Sequence, residues 1–376
     1  MKVLFYDDGN SFGGHTLTAL DAVRYLGEQT DLNVGFMFYE GNKRLHERLN
    51  LLKHSNVELY PIKWQEPKLR TIEALFSFAQ VQKVKSLIDQ VQPDIIIISQ
   101  GCIEQCSIGL LAAKSGKYKT ISFIALTQEI SVMGGKLAQF RDWVNLYFYK
   151  LSDAFITTSQ NAKNRLIQHG VRSKISLVYY GPNLKFWQFR DKSEFRRKLG
   201  INENDYVVAL IGRVQFAHKG HDFLINSIAK YQSKLENIKL VLVGDGPDVN
   251  RLQSLIQSYS LSHFVKLVSW SDDPSYIYSA IDMLIIPSRF EGLPLVMLEA
   301  MYYSLPIVAS NVDGMAEVLP KDWLFQFGDS NSLIETLLQV KQQDNREVLA
   351  KNKMRIMTEF NVDKFGEEFY KAISEK

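Results

Sequence analysis

Along the chain, short unbroken apolar runs alternate with longer stretches in which apolar residues recur every three or four positions. VLFY (3–6) is followed by TLTALDAVRYLGEQ (16–29) and then VGFMF (34–38). The theme returns with PDIIIIS (93–99), the helical segment IGLLAAKSG, the run TISFIAL (120–126), and DAFITTS followed by QNAKNRLIQHG. Runs of strand length without polar alternation predict strands covered on both faces. Helices between them predict parallel pairing, so the pattern reads as repeated βαβ units.

At YYGPNLKFWQF (179–189) the pattern breaks into Gly, Pro and Asn, which predicts a linker, and the helical stretch KSEFRRKLG follows. A second series then runs through YVVALIG (206–212), KLVLVGDG (239–246), HFVKLVSW (263–270), DMLIIPS (282–288) and LPIVAS (305–310). Each of these strands except the last is expected to lead into a helix. The expectation is α/β architecture, with two doubly wound Rossmann-like domains spanning 1–182 and 183–359 and facing a central cleft. The amphipathic stretch DKFGEEFYKAISE (363–375) predicts a final helix.

With 376 residues, 46% of them hydrophobic, the chain is too long for one compact core. Its 44 basic and 41 acidic residues give a formal charge of +3, which carries no nucleic-acid footprint. Cys102 and Cys106 are too widely spaced for a redox Cys-x-x-Cys pair and too few for a disulfide framework, so a reducing cytoplasm is expected. The amino terminus turns acidic at Asp7, short of a signal peptide's apolar core, and no run approaches the ~20 apolar residues of a membrane span. The expected location is cytoplasmic, with contact to the inner face of a membrane confined to its surface. KLAQFRDWVNLYFYK (136–150) mixes bases with Trp143, Tyr147 and Phe148 and admits two readings. It is either a helix that touches a membrane beside a lipid-linked acceptor or, as is commoner for aromatics at helical spacing, core packing.

The chemistry concentrates in PSRFEGLPLVMLEAMYYSLPIVAS (287–310). A strand ends there, a Gly-containing loop follows, and Pro294 is expected at the first position of a helix. The amides of Leu295 and Val296 then lack intrahelical partners and form an anion site at the positive end of the helix dipole. Glu291 lies in the loop and Glu299 inside the apolar run VMLEAM. A carboxylate in such a run needs hydrogen-bond partners; ligand hydroxyls supply them on one reading, and a neighbouring Arg or Lys on the other. In GRVQFAHKG (212–220), Arg213 and Lys219 follow a strand and suit a diphosphate, although solvated surface charges share that pattern. VGDGPDV lacks the third glycine of a dinucleotide fingerprint and reads as a tight strand-to-helix turn. Gly13 and Gly14 stand between the first strand and the first helix, where a ligand can approach the backbone closely.

The Gly-Gly loop, GRVQFAHKG, VGDGPDVNRL and SRFEGLPLVMLEAM, in this order, resemble the retaining GT-B-fold glycosyltransferases of family 4 (glycosyl transferases group 1) across nearly the whole chain. The resemblance implies a nucleotide-sugar donor, UDP-linked by preference, in the second domain. It also implies a glycan or polyprenyl- or lipid-linked acceptor facing the first, and a final helix (about 360–376) that packs back on the first domain. Arg213 and Lys219 would hold the diphosphate, Glu291 the transferred sugar and Glu299 the ribose. Gly13, Gly14, Gly292, Leu293, Leu295 and Val296 would approach phosphate or sugar, and Trp270 in VSWSDD (268–273) the base. His15, Gln100, Thr127, Gln128 and Glu129 fall on the acceptor side.

Several positions depart from the family pattern. Gln100, and Thr127 with Gln128 and Glu129, stand where histidines are frequent; Ser304 replaces a common glycine, and Asp313 with Gly314 replaces a glycine pair. No Asp-x-Asp motif occurs, so no metal or other cofactor is expected and the cations with the helix amides take the metal's place. Retention is ascribed in the family to front-face attack, in which the donor phosphate receives the acceptor proton. A nucleotide-sugar epimerase and a catalytically silent scaffold of the same fold are the alternatives. Lys219→Ala is expected to abolish nucleotide affinity without unfolding the chain.

Overall fold

The structure, a computed structural model, describes residues 1–52, 56–183, 187–270 and 273–375. It divides into two compact units, Met1–Tyr180 with the stretch from Val362 onward, and Gly181–Asn361. Residues 184–186 of the linker stretch lie outside the described residues.

The first unit is built on a seven-stranded parallel sheet. Its strands are β1 (Lys2–Asp7), β2 (Asn33–Tyr39), β3 (Val57–Ile62), β4 (Ile95–Cys102), β5 (Lys119–Leu126), β6 (Ala154–Thr157) and β7 (Lys174–Leu177). The order is β3-β2-β1-β4-β5-β6-β7, with Val3 opposite Val34 on one side and Ile95 on the other. Central strands such as β1 and β4 are buried along almost their whole length, which is why their sequences are continuous apolar runs. The edge strands β3 and β7 are half-exposed and mix Glu58 or Lys174 with apolar residues, so no apolar run announces them. The chain winds outward from β1 to β3 and then returns to β4 beside β1. The winding therefore reverses between β1 and β4, where the loops after these strands part and leave room for a ligand.

The helix Val362–Ser374 belongs to this unit and lies against the helix Gly14–Gly27. Phe369 stacks on Phe5 at 6.1 Å and meets Phe123 edge-on at 5.2 Å. A methyl group at Gly366 would stand 2.2 Å from the Tyr25 ring, so only glycine allows this approach. Tyr180, at the exit of the unit, donates to the Asp21 carboxylate at 2.8 Å.

The second unit carries a six-stranded parallel sheet of β8 (Tyr206–Ile211), β9 (Ile238–Val243), β10 (Val265–Val268), β11 (Met283–Ile286), β12 (Ile307–Ser310) and β13 (Leu324–Phe325). The order β10-β9-β8-β11-β12-β13 reverses between β8 and β11. Contrary to the expectation from sequence, β12 is also followed by a helix, Asp313–Val318. Six residues are too few to display a helical period, so the pattern hides it. Ser304 and Asp313, both at sites where the family favours glycine, adopt φ of 54° and 49°. They keep the left-handed backbone and bear its strain.

Among the described residues no helix is long and apolar enough to cross a membrane. Cys102 and Cys106 are buried and free.

Candidate functional site

The winding reversal of the second unit gathers the loop after β8 and the loop after β11. The first loop carries Arg213, which is exposed, and the short helix Phe216–Lys219. The second carries Ser288, Phe290 and Glu291. Lys219 Nζ reaches Glu291 Oε1 at 2.5 Å, and Ser288 Oγ donates to the same oxygen at 2.7 Å. His218 lies flat on the Phe290 ring at 4.5 Å and brings Nε2 to 3.7 Å from the other Glu291 oxygen. The Glu291 amide donates to Asp313 Oδ2 at 2.8 Å.

Glu291 is only 7% exposed. Burial alone would push its carboxyl up, but Lys219 and His218 outweigh burial and hold it well below the usual carboxylate range. It is a fixed anion rather than an acid. Of the two cations singled out in the sequence, Lys219 is therefore held by Glu291, while Arg213 makes no salt bridge among the described residues.

The helix that follows begins at Leu295. Pro294 is its cap, with ψ of 125°, and not the first helical residue as expected. The preference of proline for that first position is statistical, and here the extended ψ places the turn one residue later. Leu295 and Val296 still occupy the first turn, where amides have no intrahelical acceptor. Gly292 and Leu293 form the approach, and the Gly292 carbonyl accepts from the Gly314 amide at 3.0 Å. A methyl at Gly314 would stand 2.1 Å from that carbonyl oxygen, so the contact needs glycine.

Among the described residues Glu299 is paired with neither Arg nor Lys. Tyr278 donates to it at 2.6 Å, and burial pushes the carboxyl up to about 7. Trp270 is exposed and its amide donates to Asp245 at 3.2 Å. The neighbouring residues Ser271 and Asp272 of the same stretch lie outside the described residues. In VGDGPDV, Asp248 accepts from the Phe216 amide at 2.8 Å, which makes that segment a brace for the loop after β8.

In the first unit, Gly13 caps the helix Gly14–Gly27 in an extended conformation. His15 is half-buried near Gly101, and burial, reinforced by Arg70, lowers its imidazole to about 4. Gln100 is buried, and its amide donates to the carbonyls of Ile103 and Gln105, so it braces its own loop. Thr127 is buried as well, with its carbonyl 3.0 Å from His169 Nε2. Gln128 and Glu129 line a cavity of about 300 Å³ together with Trp143, Tyr149 and His169, which is 4.0 Å from Glu129. The structure thus brings His15 to the loop of Gln100, and Gln128 and Glu129 to a separate recess.

Sequence reasoning passed over the buried carboxylates at the end of β1. Burial pushes Asp7 up to about 8 and Asp8 up to about 7. Tyr6 donates to Asp8 at 3.0 Å, while one oxygen of each carboxylate is buried without a hydrogen-bond partner among the described residues. In the loop after β4, Glu104 is fully buried and paired with Arg141. An adjacent acidic pair ending a buried apolar run is the signal that could have marked the first two.

Two family models cover the chain in succession, Glycosyltransferase Family 4 over residues 12–186 and Glycosyl transferases group 1 over residues 191–355. An "uncharacterized glycosyltransferase" of Methanocaldococcus jannaschii is 29% identical over 174 residues, 44% of each chain. The UDP-Gal:alpha-D-GlcNAc-diphosphoundecaprenol alpha-1,3-galactosyltransferase of Escherichia coli is 28% identical over 234 residues, 59% of this chain and 60% of the relative. These two matches span less than two thirds of the relatives' own lengths. An "uncharacterized glycosyltransferase" of Haemophilus influenzae aligns over 96% of both chains at 23% identity. Among solved structures, HepE of Anabaena in complex with UDP-glucose superposes with a TM-score of 0.81 at 21% identity, covering 100% of this chain and 99% of its own. Two doubly wound parallel-sheet units that superpose in this way define a GT-B fold. The chain belongs to the GT-B glycosyltransferases of family 4 type, a family of enzymes.

Proposed function

We propose that the chain is a retaining, metal-independent glycosyltransferase that moves a sugar from a nucleotide-sugar to a glycan or lipid-linked acceptor in polysaccharide or glycoconjugate assembly. One observation carries the reading. Arg213, the Lys219–Glu291 pair and the first amides of the helix Leu295–Tyr302 converge on the winding reversal of the second unit. Departure of a nucleoside diphosphate builds negative charge on phosphate, and cations with aligned amides stabilise it without reorganising.

In this reading Arg213 and Lys219 receive the diphosphate. Glu291, kept ionised, accepts hydrogen bonds from hydroxyls of the transferred sugar, and Glu299 with Tyr278 faces the ribose. Because Glu291 is a fixed anion, it has no proton to give. The proton of the attacking hydroxyl passes to the departing phosphate oxygen on the same face of the sugar, which retains the anomeric configuration. The first unit binds the acceptor. UDP is the preferred nucleotide: HepE was solved with UDP-glucose, and the Escherichia coli relative is named for UDP-Gal and a diphosphoundecaprenol acceptor. Peripheral contact with the inner face of a membrane belongs to the same reading.

The test is calorimetric titration of the full chain with UDP, GDP and ADP in the presence of a chelator. The expected result is UDP binding with Kd of about 1–100 μM, weakened roughly tenfold or more by Arg213→Ala. Absence of binding to every nucleotide would sink the reading, and binding that requires a divalent ion would sink its metal-independent part. NMR of the product's anomeric proton decides retention, an inverted anomer being the contrary result.

A further inference from the structure

The helix Ala138–Phe148 breaks the usual rule for a surface helix, which sets its polar residues outward. Val144 and Phe148 face the core of the first unit, yet the outer face carries Phe140, Trp143 and Tyr147, all exposed, with Leu137 just ahead of it. Trp143 is 69% exposed, and Phe140 stacks on it at 5.9 Å, so an aromatic pair stands in solvent. The neighbouring helix Arg70–Ala74 packs on this one, and Thr71 donates to Asn145 at 2.9 Å. Directly after it come Phe76 and Phe78, 77% and 73% exposed. Large apolar side chains grouped this way on a soluble fold mark a contact surface.

The charge around the patch is predominantly positive. In the stretches 63–83 and 131–150 the exposed ionic residues are Lys63, Lys68, Lys83, Lys136 and Lys150 against Glu73 alone. The other ionic groups there are held internally: Arg141 by Glu104, Arg70 by Glu66, and Asp142 by the amides of Ile130 and Ser131.

We infer that this face docks the first unit onto an anionic lipid bilayer. Trp and Tyr combine an apolar body with a polar tip and suit the head-group region, while lysines at the rim meet anionic head groups. A second copy of the chain is the poorer occupant, because a two-fold interface would set these lysines against the same lysines of the partner. Trp143 also lines the cavity of Glu129 and His169, which puts that recess at the edge of the apolar face. The docking face rests on the lipid-linked reading for its purpose and not for its evidence.

Flotation of the full chain with vesicles of phosphatidylcholine, with and without phosphatidylglycerol, tests it. The chain is expected to float with the phosphatidylglycerol vesicles, and added salt is expected to weaken the association. Phe140→Ser with Trp143→Ser is expected to lower partitioning roughly tenfold or more, and Lys136→Glu with Lys150→Glu several-fold, both with unchanged circular dichroism. UDP titration of the same variants is expected to match the wild type, so loss of docking and failure of the transferase reading are read separately. The inference is overturned if the wild-type chain stays behind when anionic vesicles float, or if both variants float as the wild type does. Concentration-dependent dimers that the serine variant abolishes would overturn it in favour of self-association.

Discussion

The Lys219–Glu291 pair alters what a substitution at either residue reports. Taking Lys219 away leaves an ionised, 7% exposed carboxylate with Ser288 and His218 beside it. Lys219→Ala is therefore expected to lose about 3 kcal/mol of stability as well as nucleotide affinity, with most of the stability restored in the Lys219→Ala, Glu291→Ala double variant. Urea denaturation reads both, and an unchanged midpoint in the single variant would show the pair to be solvated. Arg213→Ala, at an exposed position, separates affinity from stability and is the cleaner probe. Glu299 gives a pH signature. Its native carboxyl titrates near 7 against an ordinary 4.5, so the folded chain holds this proton more tightly than the unfolded one. The associated stability is complete below about 4.5 and is lost as pH rises through about 7. Glu299→Gln is expected to flatten that part of the stability profile, and a profile unchanged by the substitution would refute the assignment. The sequence shows which residues stand near one strand end. It does not show that Asp313 would hold the Glu291 amide or that Tyr278 would meet Glu299, because those partners come from remote stretches.

Among elements, legibility follows burial. β1, β4, β5, β8, β9 and β11 are enclosed by neighbours on both sides, so their sequences must be apolar throughout and stand out as runs. β3, β7 and the two-residue β13 lie at sheet edges, where half of the surface can be polar, and no sequence signal remains. The aromatics of 136–150 show both outcomes on one helix, since Phe148 is core and Trp143 is not, a division that spacing alone does not reveal. Close approaches between elements are equally hidden. Gly366→Ala would drive a methyl into the Tyr25 ring and is expected to cost about 1–3 kcal/mol, read as a lower Tm. Gly314→Ala would push against backbone, which cannot turn aside as a side chain can. It is expected to displace the Glu291 loop and lower nucleotide affinity while leaving the sheet intact, as measured by titration beside circular dichroism. Unaltered affinity would show that the loop does not depend on that contact.

At the scale of the whole molecule, the buried titrating groups pull stability in opposite directions with pH. Asp7 and Asp8, raised to about 8 and about 7 from 3.8, bind protons more tightly when folded, so their contribution is complete below about 3.8 and fades as pH climbs to about 8. His15 and His221, lowered from 6.5 to about 4, are neutral when folded, and their contribution is present above 6.5 and fades as pH falls to about 4. Between about pH 4 and 6.5 the two sets oppose each other, and above 6.5 only the carboxylates still titrate, so stability is expected to decline as pH rises from 6.5 to about 8, and Asp7→Asn is expected to lessen that decline. Thermal unfolding across pH checks this, and a wild-type maximum above pH 8 would contradict it.

The helix Val362–Ser374 makes the second unit an insertion within the first. A ribosome delivers every residue of Gly181–Asn361 before the segment whose Phe365 and Phe369 cover Phe5 and Phe123. The unit that is synthesised first is thus the last to be completed, and the nascent chain carries an uncovered aromatic surface throughout the making of the second. Protease protection on stalled nascent chains should appear in the later unit before it appears in the earlier one.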